Sequence, residues 1–437
     1  MHGTTGEGER GLGLRIAVLG AGIVGVSTAY FLASDGHQVE VVDRAPVAGT
    51  DASAGNAGFI APNDSYAWAS PSAPIQLLRS LLGENTGLRI RLGTDPHMYR
   101  WGLRFLRECT PNRAYRNSVT QILLSQYSAA LQEQVEATEG IEYSVTRRGA
   151  LYLYRDAKKL AQAASRTSLF EKHGVRQQVL SIAEIAKLDP VFDSARVFVG
   201  GIYGETDASG DCQAFTQALL KVSVEKWGVA FTPQTSVLRL QCSGEKIAAA
   251  VTNSGRIEAD HFVLALGIGS RRVALSVGES LPIYPVKGYS ATFPVISPER
   301  APTLPGVEQT SLIAWSKLGD RVRMSSSAEV AKPNRDWSPE HFRSIRAMAD
   351  ELFRGGIDLD AGSYRACLRP MTPDGPPILG YRKYPNLLFN TGHGHLGWTM
   401  GVGTGRISAD LVAGKRPAIG GPKGLFRNDW GFPSPRR

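Results

Sequence analysis

The chain has 437 residues, 42% of them hydrophobic, with 48 glycines, four cysteines and a formal net charge of +9. That length exceeds one simple core and asks for two domains or interwoven lobes, and the composition fits a soluble, turn-rich α/β protein. The cysteines (Cys109, Cys212, Cys242, Cys367) form no C-x-x-C pair, which argues for reduced thiols in a cytosolic protein, and the basic residues form no nucleic-acid recognition signature, which leaves an anionic ligand or membrane surface as the partner of the positive charge.

Residues 1–12 are rich in Gly, Glu and Thr and read as a flexible tail. The next stretch, RIAVLGAGIVGVSTAYFLASDGHQVEVVDR from Arg15 to Arg44, organises the rest. A short apolar strand ends in Gly20, Gly22 and Gly25 at G-x-G-x-x-G spacing, a helix of small apolar residues follows, and a second strand ends at Asp43. Gly20 permits the tight turn, Gly22 lets a pyrophosphate approach the backbone, and Gly25 lets the helix pack close on the sheet. The phosphates then sit at the positive helix N-terminus, and Asp43 is placed to accept the ribose hydroxyls. The 18 uncharged residues of 16–33 have the length of a membrane span, but three turn glycines inside them and an amphipathic strand after them argue against one.

A loop of small residues, DASAGNAGFIAPN at 51–63, suits close backbone approach to a ligand. Segments 75–82 and 97–107 read as helices with an apolar and a basic face, and eight arginines between Arg79 and Arg116 alternate with Leu, Ile, Trp and Phe. Core packing with solvated arginines is one reading of these helices; contact with acidic lipid headgroups is the other. Helices are expected at 121–138, 158–173, 182–188, 212–227 and 339–353, the last capped by Ser338. Strands are expected at 150–154, 229–231, 236–242, 247–252, 261–266, 282–294, 321–325 and 387–390. Residues 200–211, GGIYGETDASGD, read as a second polar glycine loop, and GHGHLGWTMGVGTG from Gly392 runs into a helix to Val412. The stretch 419–437 reads as a second flexible tail.

Six stretches together resemble a known family: the dinucleotide unit, SAGNAG at 53–58, TDASGDCQAFTQAL from Thr206, YPVKGYS from Tyr284, LRPMTPDGPPILG from Leu368 and NTGHGHLGWTMGVGTG from Asn390. The chain is similar to the glycine-oxidase/D-amino-acid-oxidase-like FAD-dependent oxidoreductases, and within them to the small subunits of bacterial D-amino-acid dehydrogenases. The resemblance implies an α/β fold: a Rossmann-like FAD-binding domain with an inserted mixed-sheet α+β substrate domain. It implies a discontinuous FAD domain (13–95, 200–280 and 370–418) and a substrate domain (96–199 and 281–369). It implies non-covalent FAD held by Gly20, Gly22, Gly25, Asp43, Ser53, Asn56, Ala57, Gly58, Val237, Gly392 and Gly397. It further implies oxidative deamination of a D-amino acid to a 2-oxo acid and ammonia by hydride transfer to flavin, with electrons passed to a quinone or other carrier. The expected location is cytoplasmic, with the basic amphipathic stretch suited to peripheral contact at the inner face of the membrane.

Oxidation at Cα needs a cation for the substrate carboxylate, and Arg369 is the leading candidate, because a planar guanidinium grips a carboxylate through two parallel hydrogen bonds. An ion pair with Asp374 is the competing reading of Arg369. Tyr289, His393 and His395 complete the expected catalytic set, with Tyr364 and Trp398 as further pocket candidates; Lys287 reads equally as a cation beside the flavin or a surface lysine. In glycine-oxidase-like relatives an Arg-Asn pair stands where this chain has His395-Leu396, which suggests a different pocket. No metal site is expected. An oxygen-using amino-acid oxidase, a D-hydroxyproline or cyclic-amine dehydrogenase, and a non-catalytic FAD-binding scaffold are the alternatives; Arg369 in its full motif counts against the scaffold.

Overall fold

The computed structural model describes residues 13–82, 88–91, 93–193, 197–331 and 333–419. The stretches 1–12 and 420–437, expected as tails, lie outside the described residues.

A six-stranded sheet carries the dinucleotide unit. Its order is Ile378–Tyr381, Leu387–Thr391, His261–Leu264, Arg15–Leu19, Gln38–Val42, Ala230–Thr232, and only the Ile378–Tyr381 edge is antiparallel. Strand alternation divides its side chains between two cores. Ile16 and Val18 face the helices Ile23–Ser34, Cys212–Trp227 and Gly397–Val412, while Ala17, Leu19 and Val42 face a core shared with the meander Val237–Ser243, Lys246–Thr252 and Gly255–Ile257. Both faces are covered, which explains the unbroken apolar runs IAVL and FVL.

A nine-stranded, mostly antiparallel sheet forms the second layer. Ser363–Met371 pairs with Tyr284–Pro294, which pairs with Arg321–Val330; Ile313–Leu318, Gly306–Glu308, Ala150–Tyr154, Gly200–Gly204 and Gln177–Leu180 follow, and Leu88–Ile90 adds to Arg321–Val330. The helix Arg343–Phe353 buries Ile345, Met348, Ala349, Leu352 and Phe353 against it, an apolar stripe at helical spacing.

Expectations change in several places. The glycine stretch 200–211 is not a loop throughout: Gly200–Gly204 is a strand between two others. A Cβ at Gly201 would lie 2.9 Å from the Tyr152 carbonyl oxygen, so these glycines serve close strand approach. That strand and Leu88–Ile90, grouped by the sequence with the cofactor-binding pieces, hydrogen-bond into the nine-stranded sheet. The helix expected over 158–173 is two, Ala157–Ala164 and Thr167–Glu171.

Candidate active site

The two sheets enclose a cavity of about 770 Å³ lined from both. One end is the glycine turn. Gly20 has φ +115°, and a Cβ there would lie 2.5 Å from the Ala265 carbonyl oxygen; one at Gly25 would lie 1.8 Å from that of Gly20. Gly22 differs, since a Cβ there would meet only Ser53 Oγ, at 3.5 Å. Gly20 and Gly25 are therefore packing glycines, whereas Gly22 leaves room beside the first turn of the Ile23–Ser34 helix, whose N-cap it is.

Asp43 follows the Gln38–Val42 strand and is fixed by two amides: Ala21 N–H donates to its Oδ2 at 2.7 Å and Ala45 N–H to its Oδ1 at 2.8 Å. Each oxygen keeps a second acceptor site, and Asp43 lines the cavity. Ile23 N–H donates to Ser53 Oγ at 3.1 Å, which ties the helix start to the small-residue loop. Asn56 closes that loop, with Nδ2 donating to Ser53 O at 2.9 Å and Oδ1 accepting from Gly58 N–H at 2.8 Å. Ser53, Asn56, Ala57, Val237, Gly392 and Gly397 line the cavity with Gly20, Gly22 and Asp43; Gly25 and Gly58 stand behind it. The backbone carbonyl of Val237 accepts from Arg272 at 3.1 Å.

The other end is built on Ser363–Met371. Cys367, Leu368, Arg369 and Pro370 line the cavity, and the Arg369 guanidinium lies over Gly288 of the neighbouring strand, where a Cβ would be 2.6 Å from its Cζ. Burial pulls the Arg369 pKa down, offset in part by Cys367 and Asp64, and a guanidinium stays protonated throughout. His395 lines the same space, stacked on Trp68 at 4.7 Å between ring centroids. Burial, helped by Arg369, takes its pKa down to about 3, so the imidazole is neutral.

His393 reaches the lining, but its ring is turned inward, with Nε2 2.9 Å from Thr404 Oγ1; burial holds its pKa near about 3. Tyr289 stands outside the lining: its hydroxyl donates to Glu329 Oε2 at 3.0 Å and its ring stacks on His341 at 4.6 Å. Tyr364 and Lys287 are outside it too, the first accepting from Arg346 at 2.6 Å and the second donating to Asn334 Oδ1 at 2.5 Å. Trp398 is in the lining.

The sequence reading passed over Asp64, Trp68 and Asp207. Asp64 and Trp68 line the cavity. The signal for Asp64 was its place one residue beyond the 51–63 loop. Asp207 is buried behind, accepting from Tyr152 Oη at 2.6 Å and from Asn63 N and Nδ2 at 3.1 and 2.9 Å.

A family profile described as "DAO: FAD dependent oxidoreductase" matches residues 15–411. A protein of Mesorhizobium japonicum named D-amino acid dehydrogenase 2 is 38% identical over 94% of this chain and 99% of its own. One of Bradyrhizobium diazoefficiens named D-amino acid dehydrogenase is 37% identical over 93% of this chain and 96% of its own. Among solved structures, glycine oxidase from Bacillus cereus superposes with a TM-score of 0.71 at 19% identity, covering 92% of this chain and 96% of that one. L-proline dehydrogenase from P. horikoshii gives 0.69 at 17%, covering 93% and 96%. At such identities the structural likeness speaks for the fold.

The cavity fits the FAD of that description. The glycine cradle and fixed acid stand at one end. Along the lining, Asn390 Oδ1, His395 Nε2 and Trp398 Nε1 are buried and find no hydrogen-bond partner among the described residues, as polar groups that receive a ligand do.

Proposed function

The chain belongs to the DAO family of FAD-dependent oxidoreductases, and from that premise we propose that it oxidatively deaminates D-amino acids to 2-oxo acids and ammonia, passing the electrons to a quinone or another carrier. The observation that carries this reading is Arg369: an enclosed guanidinium opens into the same cavity as the dinucleotide cradle. Bound FAD supplies the hydride acceptor. Arg369 holds the substrate carboxylate through two parallel hydrogen bonds and so fixes Cα. Neutral His395, propped by Trp68, offers Nε2 to a polar group without adding charge. The two sheets keep bulk water from the reacting carbon.

The test is an anaerobic titration of the purified holoenzyme with D- and L-amino acids, glycine, sarcosine and D-hydroxyproline, followed in the flavin absorption bands. Bleaching by D-amino acids, with recovery on quinone addition and slow recovery in air, is the expected result. Fast recovery in air would make the enzyme an oxidase, and bleaching by a cyclic amine alone would move the substrate. Flavin that no amine reduces would sink the reading.

We further propose peripheral contact with the inner face of an anionic membrane, where a quinone resides. Among the described residues no helix is long and apolar enough to cross a membrane. The helix Pro96–Glu108 buries Met98, Trp101 and Phe105 but exposes Tyr99, Leu103 and Leu106 beside Arg100, Arg104 and Arg107. Ala73–Leu81 exposes Ile75, Leu78 and Leu81. Apolar and basic groups displayed together suit a lipid surface.

A further inference from the structure

Asp64 ends a short turn, Pro62–Asp64, between the small-residue loop and Trp68, and it lines the cavity with Arg369 and His395. Much of its side-chain surface is accessible, and the residue lines the cavity. Beneath it Asp207 is fully committed, with its oxygens taken up by Tyr152 and Asn63. Asp64 and Arg369 line the same cavity and interact electrostatically there. A free amino acid at neutral pH is a zwitterion, and at this end of the cavity Arg369 and Asp64 offer charges of opposite sign to its two ends.

Resting on the substrate reading above, we infer that Asp64 is the partner of the substrate's amino group: with Arg369 on the carboxylate, the Asp64 carboxylate pairs with the ammonium and accepts one of its protons. The N–H bond breaks, its electron pair stays on nitrogen, and an O–H bond forms on Asp64. The products are a neutral amine and a neutral carboxylic acid. An ammonium has no lone pair to support loss of hydride from Cα; the neutral amine does.

The surroundings tune the group for this exchange. Burial pushes its pKa up to about 7, with the Asp207 carboxyl adding to the rise and Arg369 opposing it. The other groups facing it do not titrate there: His395 is neutral, the buried hydroxyls of Tyr152 and Tyr154 are pushed upward, and Arg369 stays charged. Asp207 is itself raised to about 7, chiefly by burial, and is the one neighbour that must be told apart from Asp64. Because the base form is the active one, the rate rises with pH through this range.

Two measurements on the holoenzyme test the inference. The first is the limiting rate of anaerobic flavin bleaching by D-alanine, or by D-phenylalanine if faster, against pH. The wild type shows a limb rising through about pH 7; Asp64→Asn loses the limb and falls roughly 100-fold or more, and Asp64→Glu restores part of the rate. Asp207→Asn keeps a limb; if it abolishes the limb while Asp64→Asn retains it, the base is Asp207 and the inference is wrong. The second needs no variant and no turnover: binding of benzoate, a carboxylate without an amine, read from the flavin bands. Its Kd rises as pH passes about 7, because ionised Asp64 repels it, and Asp64→Asn binds benzoate more tightly above that pH. A Kd independent of pH from 6 to 9 overturns the placement of Asp64. If no D-amino acid bleaches the flavin, the substrate reading fails while the benzoate result still reports on Asp64.

Discussion

Arg369 reaches the cavity across a strand that has no side chain beneath it. Its guanidinium occupies the space over Gly288, so Gly288→Ala would put a methyl 2.6 Å from Cζ and force the fork aside. The expected result is a KM for D-amino acids raised about tenfold or more, a loss of ~1.4 kcal/mol of carboxylate binding, with the flavin spectrum unchanged and kcat less affected. An unaltered KM would mean that the carboxylate is held elsewhere. Arg369 was legible because its motif is local, whereas Tyr289 was misplaced by strand parity. Gly288 pairs with Cys367, which shares the cavity face with Arg369; Tyr289 pairs with Ala366 on the opposite face and packs with Phe293 and Trp315 in the core. One residue along a strand reverses the face, and without the pairing register no pattern in YPVKGYS fixes which tyrosine, lysine or glycine looks inward. The partner of His393 is eleven residues away at Thr404 and was equally invisible.

At the scale of elements, the helices and strands with clear periodicity fall where the sequence puts them: Ala150–Tyr154, Ile182–Leu188 and Cys212–Trp227 match to the residue. Glycine-rich segments are harder, because glycine marks turns and close approaches alike. The helix Gly397–Val412 shows the second use. A Cβ at Gly405 would lie 2.8 Å from the Ser27 carbonyl carbon and 2.9 Å from Thr28 N, both backbone atoms of the dinucleotide helix. Gly405→Ala should therefore destabilise the protein by about 1–3 kcal/mol, despite the better helix propensity of alanine, and loosen FAD by moving the helix that starts at Ile23. Gly102, inside the exposed helix Pro96–Glu108, has nothing within 4 Å of its Cβ position. Gly102→Ala should instead stabilise by roughly 0.5–1 kcal/mol. Thermal unfolding of the two variants, monitored by released flavin fluorescence, must move in opposite directions; a shared direction would mean that propensity rather than packing governs Gly405.

The whole molecule carries its charge unevenly. Residues 73–116 hold eight arginines against three acids, 8 − 3 = +5 of the chain's +9. Among the described residues, Arg113 pairs with Glu108 at 2.8 Å and Arg91 with Glu329 at 3.5 Å. The apolar side chains beside them face outward: Leu78 is 58% and Leu103 60% exposed. Each basic residue near an anionic leaflet contributes on the order of 1 kcal/mol, and salt screens that attraction over about 8 Å at physiological ionic strength. The apolar contribution is not screened. Sedimentation with vesicles separates the two. The protein should pellet with vesicles containing phosphatidylglycerol and not with pure phosphatidylcholine, and 0.5 M salt should release most of it. Replacing Leu78 and Leu103 by serine should weaken binding at low salt by roughly 30-fold or more, since each removes about 1 kcal/mol or more of buried apolar surface, while the flavin spectrum stays intact. Equal binding to both lipids would leave the charge without a role, and no binding to either would return these helices to the other reading, solvated arginines over a packed core. If the contact is productive, anionic vesicles containing a quinone should also speed reoxidation of the amine-reduced enzyme, and the leucine variants should lose that gain while keeping their rate with a water-soluble quinone.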